Sequence, residues 1–260
     1  MTVRGICLYP HSGAEVDWLL AILGSRRIIS RVRLPSLIAG RFVRRDNRFR
    51  VTVEVGGDSV AAHLPNSGRL TELLVPGRVC WLAEFDSPRR KTRFDLLLVE
   101  HSGLFVSVDA RLPNELFAEG LSEGRLEPFK AYVHYDREVR LGGSRLDFRL
   151  HGTAGACWVE VKSVTLVEDG VARFPDAPTS RGVRHLRELM AVARRGDMAA
   201  IVFVVQRVDA GRFAPHDQAD AAFGVALREA ACAGVGVYAW SCDVSRRTVI
   251  IGGRISVTLT

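Results

Sequence analysis

Apolar and polar residues alternate in short runs through the first half of the chain, and longer apolar or helix-spaced runs follow in the second. Phe49, Val51, Val53 and Val55 alternate with Arg50, Thr52 and Glu54. That period of two marks a strand with one buried face. Residues 37–45, 59–64, 79–85, 93–100 and 104–108 read the same way, with reversals at Asp46-Asn47 and Gly56-Gly57-Asp58. After Pro113 the pattern predicts a helix over 114–126 and strands over 132–141, 145–150 and 158–167. A second helix is capped by Thr179 or Ser180 and runs to about residue 195, with Val183, Leu186, Met190 and Ala193 on its inner face. The unbroken apolar run 199–206 reads as a buried parallel strand. A third helix over 218–232, a strand over 235–241 and a hairpin turning at Gly252-Gly253 complete the chain.

These elements predict an α+β protein with three parts. Residues 1–32 form an N-terminal extension, with an amphipathic stretch over 15–23 and a basic Arg26-Arg27, to which no function is assigned. Residues 33–112, with five or six closely spaced strands, suit a small closed barrel of the OB type. Such barrels bind nucleic-acid strands by charge and stacking, and Arg41, Arg44, Arg45, Arg48 and Arg50 suit that role, although exposed arginines on a basic protein are usually plain solvated surface. Residues 113–260 form a mixed α/β domain.

Composition narrows the partners. In a chain of 260 residues, 47% hydrophobic and 25% charged, the net charge of +7 favours an anionic partner, DNA first. Cys7, Cys80, Cys157, Cys232 and Cys242 have no paired spacing for zinc or a redox dithiol and read as small core residues in a reduced compartment. The start lacks a leader pattern, and no run reaches the roughly 18 apolar residues of a membrane helix. The expectation is therefore a cytoplasmic protein without a membrane partner; a homodimer is left open.

The chemistry concentrates at Asp147, Glu160 and Lys162. In 145–150, Asp147 shares a strand face with Arg145 and Arg149, while the leucines and Phe148 face a core. In the next strand Trp158, Glu160 and Lys162 share one face, and Val159 and Val161 the other. The small-residue stretch 151–156 reverses the chain, and a hairpin symmetric about it sets Asp147 directly opposite Glu160. Opposed carboxylates destabilise a sheet unless something compensates. Mg²⁺ or Mn²⁺ compensates, with the Val161 carbonyl as a further oxygen ligand, and Lys162 then holds the attacking water or the developing oxyanion. A solvated ladder of ion pairs with Arg145, Arg149 and Lys162 fits the same letters. Lysine is scarce, however: 33 of the 36 basic residues are arginine, and only Lys91, Lys130 and Lys162 are not. An amine at 162 is unusual in such a chain.

The order helix, three strands, helix, strand resembles the core of the PD-(D/E)xK nucleases, with an acid on the second strand and E-x-K on the third. More specifically, the motifs around Arg145-Leu146-Asp147-Phe148, Glu160-Val161-Lys162-Ser163, Phe174-Pro175-Asp176-Ala177-Pro178-Thr179, His185-Leu186-Arg187-Glu188 and His63-Leu64-Pro65-Asn66-Ser67-Gly68-Arg69 resemble the sugar fermentation stimulation protein A (SfsA) family. The resemblance covers about positions 35–260. It implies an OB-like domain joined to a PD-(D/E)xK-like domain, with DNA binding as the attributed activity. Arg181, Arg184 and His185 lie in the first turns of a helix, where free N–H groups and the dipole favour phosphate. His63 and Asn66 open a stiff turn that suits either a barrel corner or a cleft wall, with Arg69 closing the same motif. Some relatives of the nuclease fold use a third carboxylate on the first helix, which here points to Glu115. Asp176 reads as a cap, a ligand partner or neither. The function expected is a metal-dependent DNA nuclease with Asp147, Glu160 and Lys162 catalytic, against a non-catalytic DNA-binding regulator of sugar metabolism genes.

Overall fold

The structure is a computed structural model that describes residues 32–153 and 155–260. The stretch 15–23 and Arg26-Arg27 lie outside the described residues. After β1 (Val32–Arg33) come the strands β2 (Leu37–Asn47), β3 (Arg50–Val55), β4 (Asp58–His63), β5 (Val79–Glu84) and β6 (Phe94–His101), in which β2–β3, β3–β4, β2–β5 and β5–β6 pair antiparallel and β4–β6 parallel. The parallel β4–β6 pairing, Ala62 to Phe94 and His63 to Asp95, closes the ring into the expected five-stranded barrel. The alternating residues Val51 and Val53 line its core with Phe42, Leu82 and Leu96. Gly56 and Gly57 both hold positive φ (61° and 93°), the mirror-image turn that matches the twist of a hairpin.

β7 (Leu104–Ser107) pairs with β6, and the chain then enters helix α1 (Leu112–Ser122). Next come β8 (Tyr132–Leu141), β9 (Ser144–Gly152) and β10 (Gly155–Val164), a meander of three antiparallel strands. Helix α2 (Ser180–Arg194) begins where Thr179 Oγ1 accepts the Gly182 N–H at 3.0 Å, which meets one of the free donors of its first turn. The buried β13 (Met198–Val205) runs parallel to β10 with Glu160 beside Ile201. Helix α3 (Ala221–Cys232), capped by Asp220, leads to β15 (Gly236–Val244) and β16 (Thr248–Val257). One sheet face is covered by α2 and α3 around Trp158, Ile201, Phe203 and Phe223. The other is covered by α1 around Phe117, Phe148, Val159 and Trp240. Barrel and sheet belong to one compact unit, Arg31–Thr260.

The structure departs from the sequence reading in three places. The last hairpin reverses at Ser245–Arg247, where Ser245 Oγ accepts the N–H groups of Arg247 and Thr248. Gly252-Gly253 instead lies inside β16, against a break in register between Trp240 and Cys242; the glycines serve an irregular ladder rather than a turn. The strand expected over 158–167 stops at Val164, and the short β11 (Val167–Glu168), β12 (Val171–Phe174) and β14 (Arg212–Pro215) extend the sheet to ten strands. They are too short to carry a period. Cys232 is exposed rather than a core residue, whereas Cys80, Cys157 and Cys242 are buried.

Candidate active site

The hairpin register decides where the two acids go. β9 and β10 pair as expected from Gly152 and Gly155 to Phe148 and Val159, and the ladder ends there. Leu146 packs into the cluster under α2, whereas Phe148 and Leu150 pack under α1, so β9 twists across the sheet as it leaves β10. Asp147, at this twist, takes the place of the lost rung. Its Oδ2 accepts the Val161 N–H at 2.8 Å and its Oδ1 accepts from Asn114 Nδ2 at 2.9 Å. Burial, and then the charge of Glu160, push its carboxyl above the usual aspartate range against the pull of the Val161 N–H, Lys162 and Asn114.

Glu160 lies on β10, only 2% exposed. Its Oε1 is shared by the Lys162 ammonium and the imidazole Nδ1 of His185, while Oε2 is buried with no hydrogen-bond partner. Burial alone raises its carboxyl; the Lys162 charge together with the His185 bond more than reverses this and holds it below the ordinary glutamate value. The tautomer of His185 follows from its neighbour. Arg181 Nε donates to His185 Nε2 at 3.3 Å, so Nε2 is the acceptor and Nδ1 carries the proton given to Glu160.

A buried carboxylate oxygen without a donor, beside a second carboxyl whose ionisation burial and the Glu160 charge oppose, suits a hard divalent cation. Among the described residues no group of three or more His, Cys, Asp or Glu side chains is placed to hold a metal. Two carboxylates lining a cavity with room for waters fit an open site for a hard divalent cation rather than a closed cage.

The acids form the floor of a cavity of about 440 Å³ with walls from both domains. The barrel contributes Arg48, Asn66, Ser67 and Gly68; the other wall holds Asn114, Lys162, the 174–179 loop and Arg181. The walls touch where Leu70 N–H reaches Asp176 Oδ2 at 3.3 Å. A Cβ on Gly68 would lie 2.5 Å from that same oxygen, so only glycine allows this approach. Arg45 anchors the barrel side, its guanidinium donating to the carbonyls of Gly68 (2.6 Å), Arg69 (2.8 Å), Arg48 (2.7 Å) and Asn66 (3.3 Å).

The structure brings together Asp147, Glu160, Val161, Lys162, Arg48, Asn66 and Arg181 around this cavity. Asn66 is buried and braces its turn, donating to the Val108 carbonyl and accepting from Gly68 N–H. His185 is 1% exposed and faces Glu160, not solvent. Its position three after Gly182 and four before Leu189, both buried, is the signal that places it on the inner face of α2. Arg184 is exposed and does not line the cavity. Glu115 points away and pairs with Arg137 at 2.6 Å; its neighbour Asn114 faces Asp147 instead. Arg41 bonds the Gly77 carbonyl, Arg44 pairs with Asp46, and Arg69 is exposed, all three outside the cavity lining. His63 holds the Phe49 carbonyl through Nδ1 at 3.0 Å. Asn114 is not legible as a site residue from the sequence, and Arg45, one of the arginines suited to a nucleic-acid strand, braces the turn instead. Asp176, which the sequence reads as a cap, a ligand partner or neither, accepts from the Leu70 N–H of the barrel.

Comparison with known proteins agrees with this architecture. Residues 43–108 match the SfsA N-terminal OB domain, and residues 111–248 match the sugar fermentation stimulation protein RE domain. The chain belongs to the SfsA family. The sugar fermentation stimulation protein homolog of Moorella thermoacetica is 50% identical over 231 residues, covering 88% of this chain and 100% of that protein. The homolog of Desulforamulus reducens is 45% identical over 226 residues, or 87% and 94% of the two chains. Among solved structures, Pyrococcus furiosus SfsA, described in complex with Ca²⁺, superposes with a TM-score of 0.82 at 32% identity, covering 88% of this chain and 99% of its own. The SfsA resemblance seen in the sequence and the barrel-plus-α/β fold are both borne out.

Proposed function

We propose that this SfsA protein is a Mg²⁺- or Mn²⁺-dependent nuclease that hydrolyses DNA phosphodiester bonds. The observation that carries the reading is the asymmetry of Glu160: one oxygen is held twice, by Lys162 and His185, and the other is buried without a partner beside Asp147. Two fixed donors on a single oxygen leave the second free for a ligand. The Ca²⁺ complex of the Pyrococcus furiosus relative supports a divalent ion as that ligand.

Asp147, Glu160 and the Val161 carbonyl would hold the ion, which when bound neutralises phosphate charge and lowers the pKa of a coordinated water. Lys162 would orient the attacking water and stabilise charge on the attacked phosphate. Water adds at phosphorus, the bond to one ester oxygen breaks, and the proton passes to the leaving alkoxide. Arg48 and Arg181 hold flanking phosphates from opposite walls. The His185 bond fixes the Glu160 carboxylate from behind.

The test uses purified protein on single-stranded, duplex and branched DNA with Mg²⁺, Mn²⁺ or EDTA. Cleavage should require the ion, and Lys162→Ala should lower it by roughly 10²–10³-fold while DNA binding persists. Inactivity on every substrate in both metals would leave the second reading, a non-catalytic DNA-binding regulator, which the Lys162–Glu160 contact favours because it neutralises the acid without a metal.

A further inference from the structure

Phe49 has no packing reason to be where it is. Of the described aromatic side chains only Phe49 and Tyr135 are exposed, Phe49 at 47%. Tyr135 is packed edge-on to Phe148, whereas Phe49 belongs to no apolar cluster and faces only the ring of His63, 6.3 Å away and tilted by 35°. An exposed phenyl ring on the two-residue turn Arg48-Phe49, between β2 and β3, costs hydration and joins no apolar cluster of the barrel.

Its surroundings are cationic and fixed. Phe49 lies between Arg48 and Arg50 in the chain, and Arg48 lines the cavity that holds Asp147 and Glu160. Arg44 and Arg50 are both paired with Asp46, while Arg48 makes no ion pair with any described residue. The Arg45 guanidinium ties the Arg48 carbonyl to the carbonyls of Asn66, Gly68 and Arg69, so the Phe49 turn and the cavity wall are held by one side chain. The Phe49 carbonyl accepts Leu64 N–H at 2.9 Å as well as the His63 bond, and its N–H donates to Asn47 Oδ1. The ring is exposed on a rigid support, not on a loose loop.

The cavity itself limits what reaches the acids. At about 440 Å³ it has the size of a pocket for one drug-sized or mononucleotide-sized group, and its walls meet at Leu70 and Asp176. A flexible strand can follow a recess of this size, whereas a stiff duplex has to lie across its opening. Base stacking on an aromatic ring beside a phosphate-binding arginine is how proteins hold unpaired nucleic acid, because every base offers a π-face.

We infer that the substrate is an unpaired nucleic-acid strand, with one base stacked on Phe49 and the adjoining phosphates carried past Arg48 to the Asp147–Glu160 floor. This rests on the proposed nuclease reading of that floor and adds to it the substrate class and an entry platform.

The experiment measures binding of labelled oligo-dT, and of a blunt hairpin duplex of equal length, to the full chain in EDTA, so that nothing is cut. The wild type should bind the oligo-dT more tightly than the duplex. Phe49→Ala should weaken oligo-dT binding by about tenfold and leave duplex binding within about twofold, while Phe49→Trp keeps both. Equal affinity for strand and duplex, or a Phe49→Ala protein that binds oligo-dT as the wild type does, overturns the inference. Cleavage assays on the same proteins separate the two readings. If Phe49 selects the strand but neither metal supports cutting, the nuclease reading fails alone. If Phe49→Ala cuts the interior of a blunt duplex as fast as the wild type cuts a single strand, the strand platform fails alone.

Discussion

His185 and Glu160 share a fully buried hydrogen bond in which the imidazole is the donor, because Arg181 occupies its other nitrogen. The consequence is directional: Glu160 is gripped at Oε1 and presents Oε2. His185 thus acts through Glu160 as a positioning residue. His185→Ala should lower Mn²⁺ affinity by roughly 10–100-fold, the usual cost of losing the group that orients a metal ligand. His185→Asn, whose amide can donate from nearly the Nδ1 position, should restore much of it. Titration followed by the electron paramagnetic resonance of free Mn²⁺ reads both, and equal affinities in wild type and the alanine variant would show that the bond orients nothing.

The opposite shifts of the two carboxyls make a second prediction. Asp147 is raised by burial and by Glu160, so its ionisation opposes folding. Its stabilising contribution is complete below the unfolded-state pKa and is lost as pH rises through the higher folded-state value. Asp147→Asn removes that loss while an amide oxygen still accepts the Val161 N–H, and the Asn114 amide can turn to meet the new donor. Metal-free Asp147→Asn should melt about 2–4 °C above the wild type at neutral pH, the shift that about 1 kcal/mol makes in a chain of this size. Added Mg²⁺ or Mn²⁺ should raise the wild-type melting temperature and leave the variant unmoved. A variant that melts lower without metal would mean that Asp147 is a structural partner and not a strained ligand.

Proton release follows from the same shift. An ion bound by Asp147 needs the carboxylate, so affinity should rise with pH through the raised pKa, and binding just below it should expel a proton. Glu160, held below its ordinary value, stays ionised across that window and adds nothing. Calorimetric titration with Mn²⁺ in buffers of different ionisation enthalpy counts the protons. A count of zero throughout the mildly acidic range would remove Asp147 from the ligand set.

How much of this the sequence carried depended on whether a feature was local. Alternation along 145–150 and 157–163 predicted the faces of β9 and β10, and the small-residue loop between them predicted the register as far as Phe148 and Val159. The parting of the strands beyond that rung was not legible, because it depends on where Leu146 finds a core and on a side chain, Asp147, competing for a ladder N–H. His185 was read by its place near a helix start, whereas its spacing from Gly182 and Leu189 governed its burial. Asn114 and Glu115 are adjacent letters about 100° apart around one helix turn, and chemistry favoured the carboxylate where packing turned the amide toward Asp147. Arg45 could not be told from the four arginines around it, since only the folded turn brings five carbonyls to one guanidinium.

The contact between the two cavity walls gives the last prediction. A methyl group at residue 68 would meet Asp176 Oδ2 at 2.5 Å and Asn66 Oδ1 at 3.0 Å, so Gly68→Ala must displace the Asp176 carboxyl and with it the bond from Leu70 N–H. The cost should be about 1–3 kcal/mol, the range for overpacking a close contact. Removing the obstruction should relieve it: Gly68→Ala with Asp176→Ala should be more stable than the sum of the two single changes, by about 0.5–3 kcal/mol of coupling. Denaturant melts of the four proteins give that cycle directly. Additive effects would mean that the walls touch without bearing on each other, and the cavity would then owe its width to the Arg45 anchor alone.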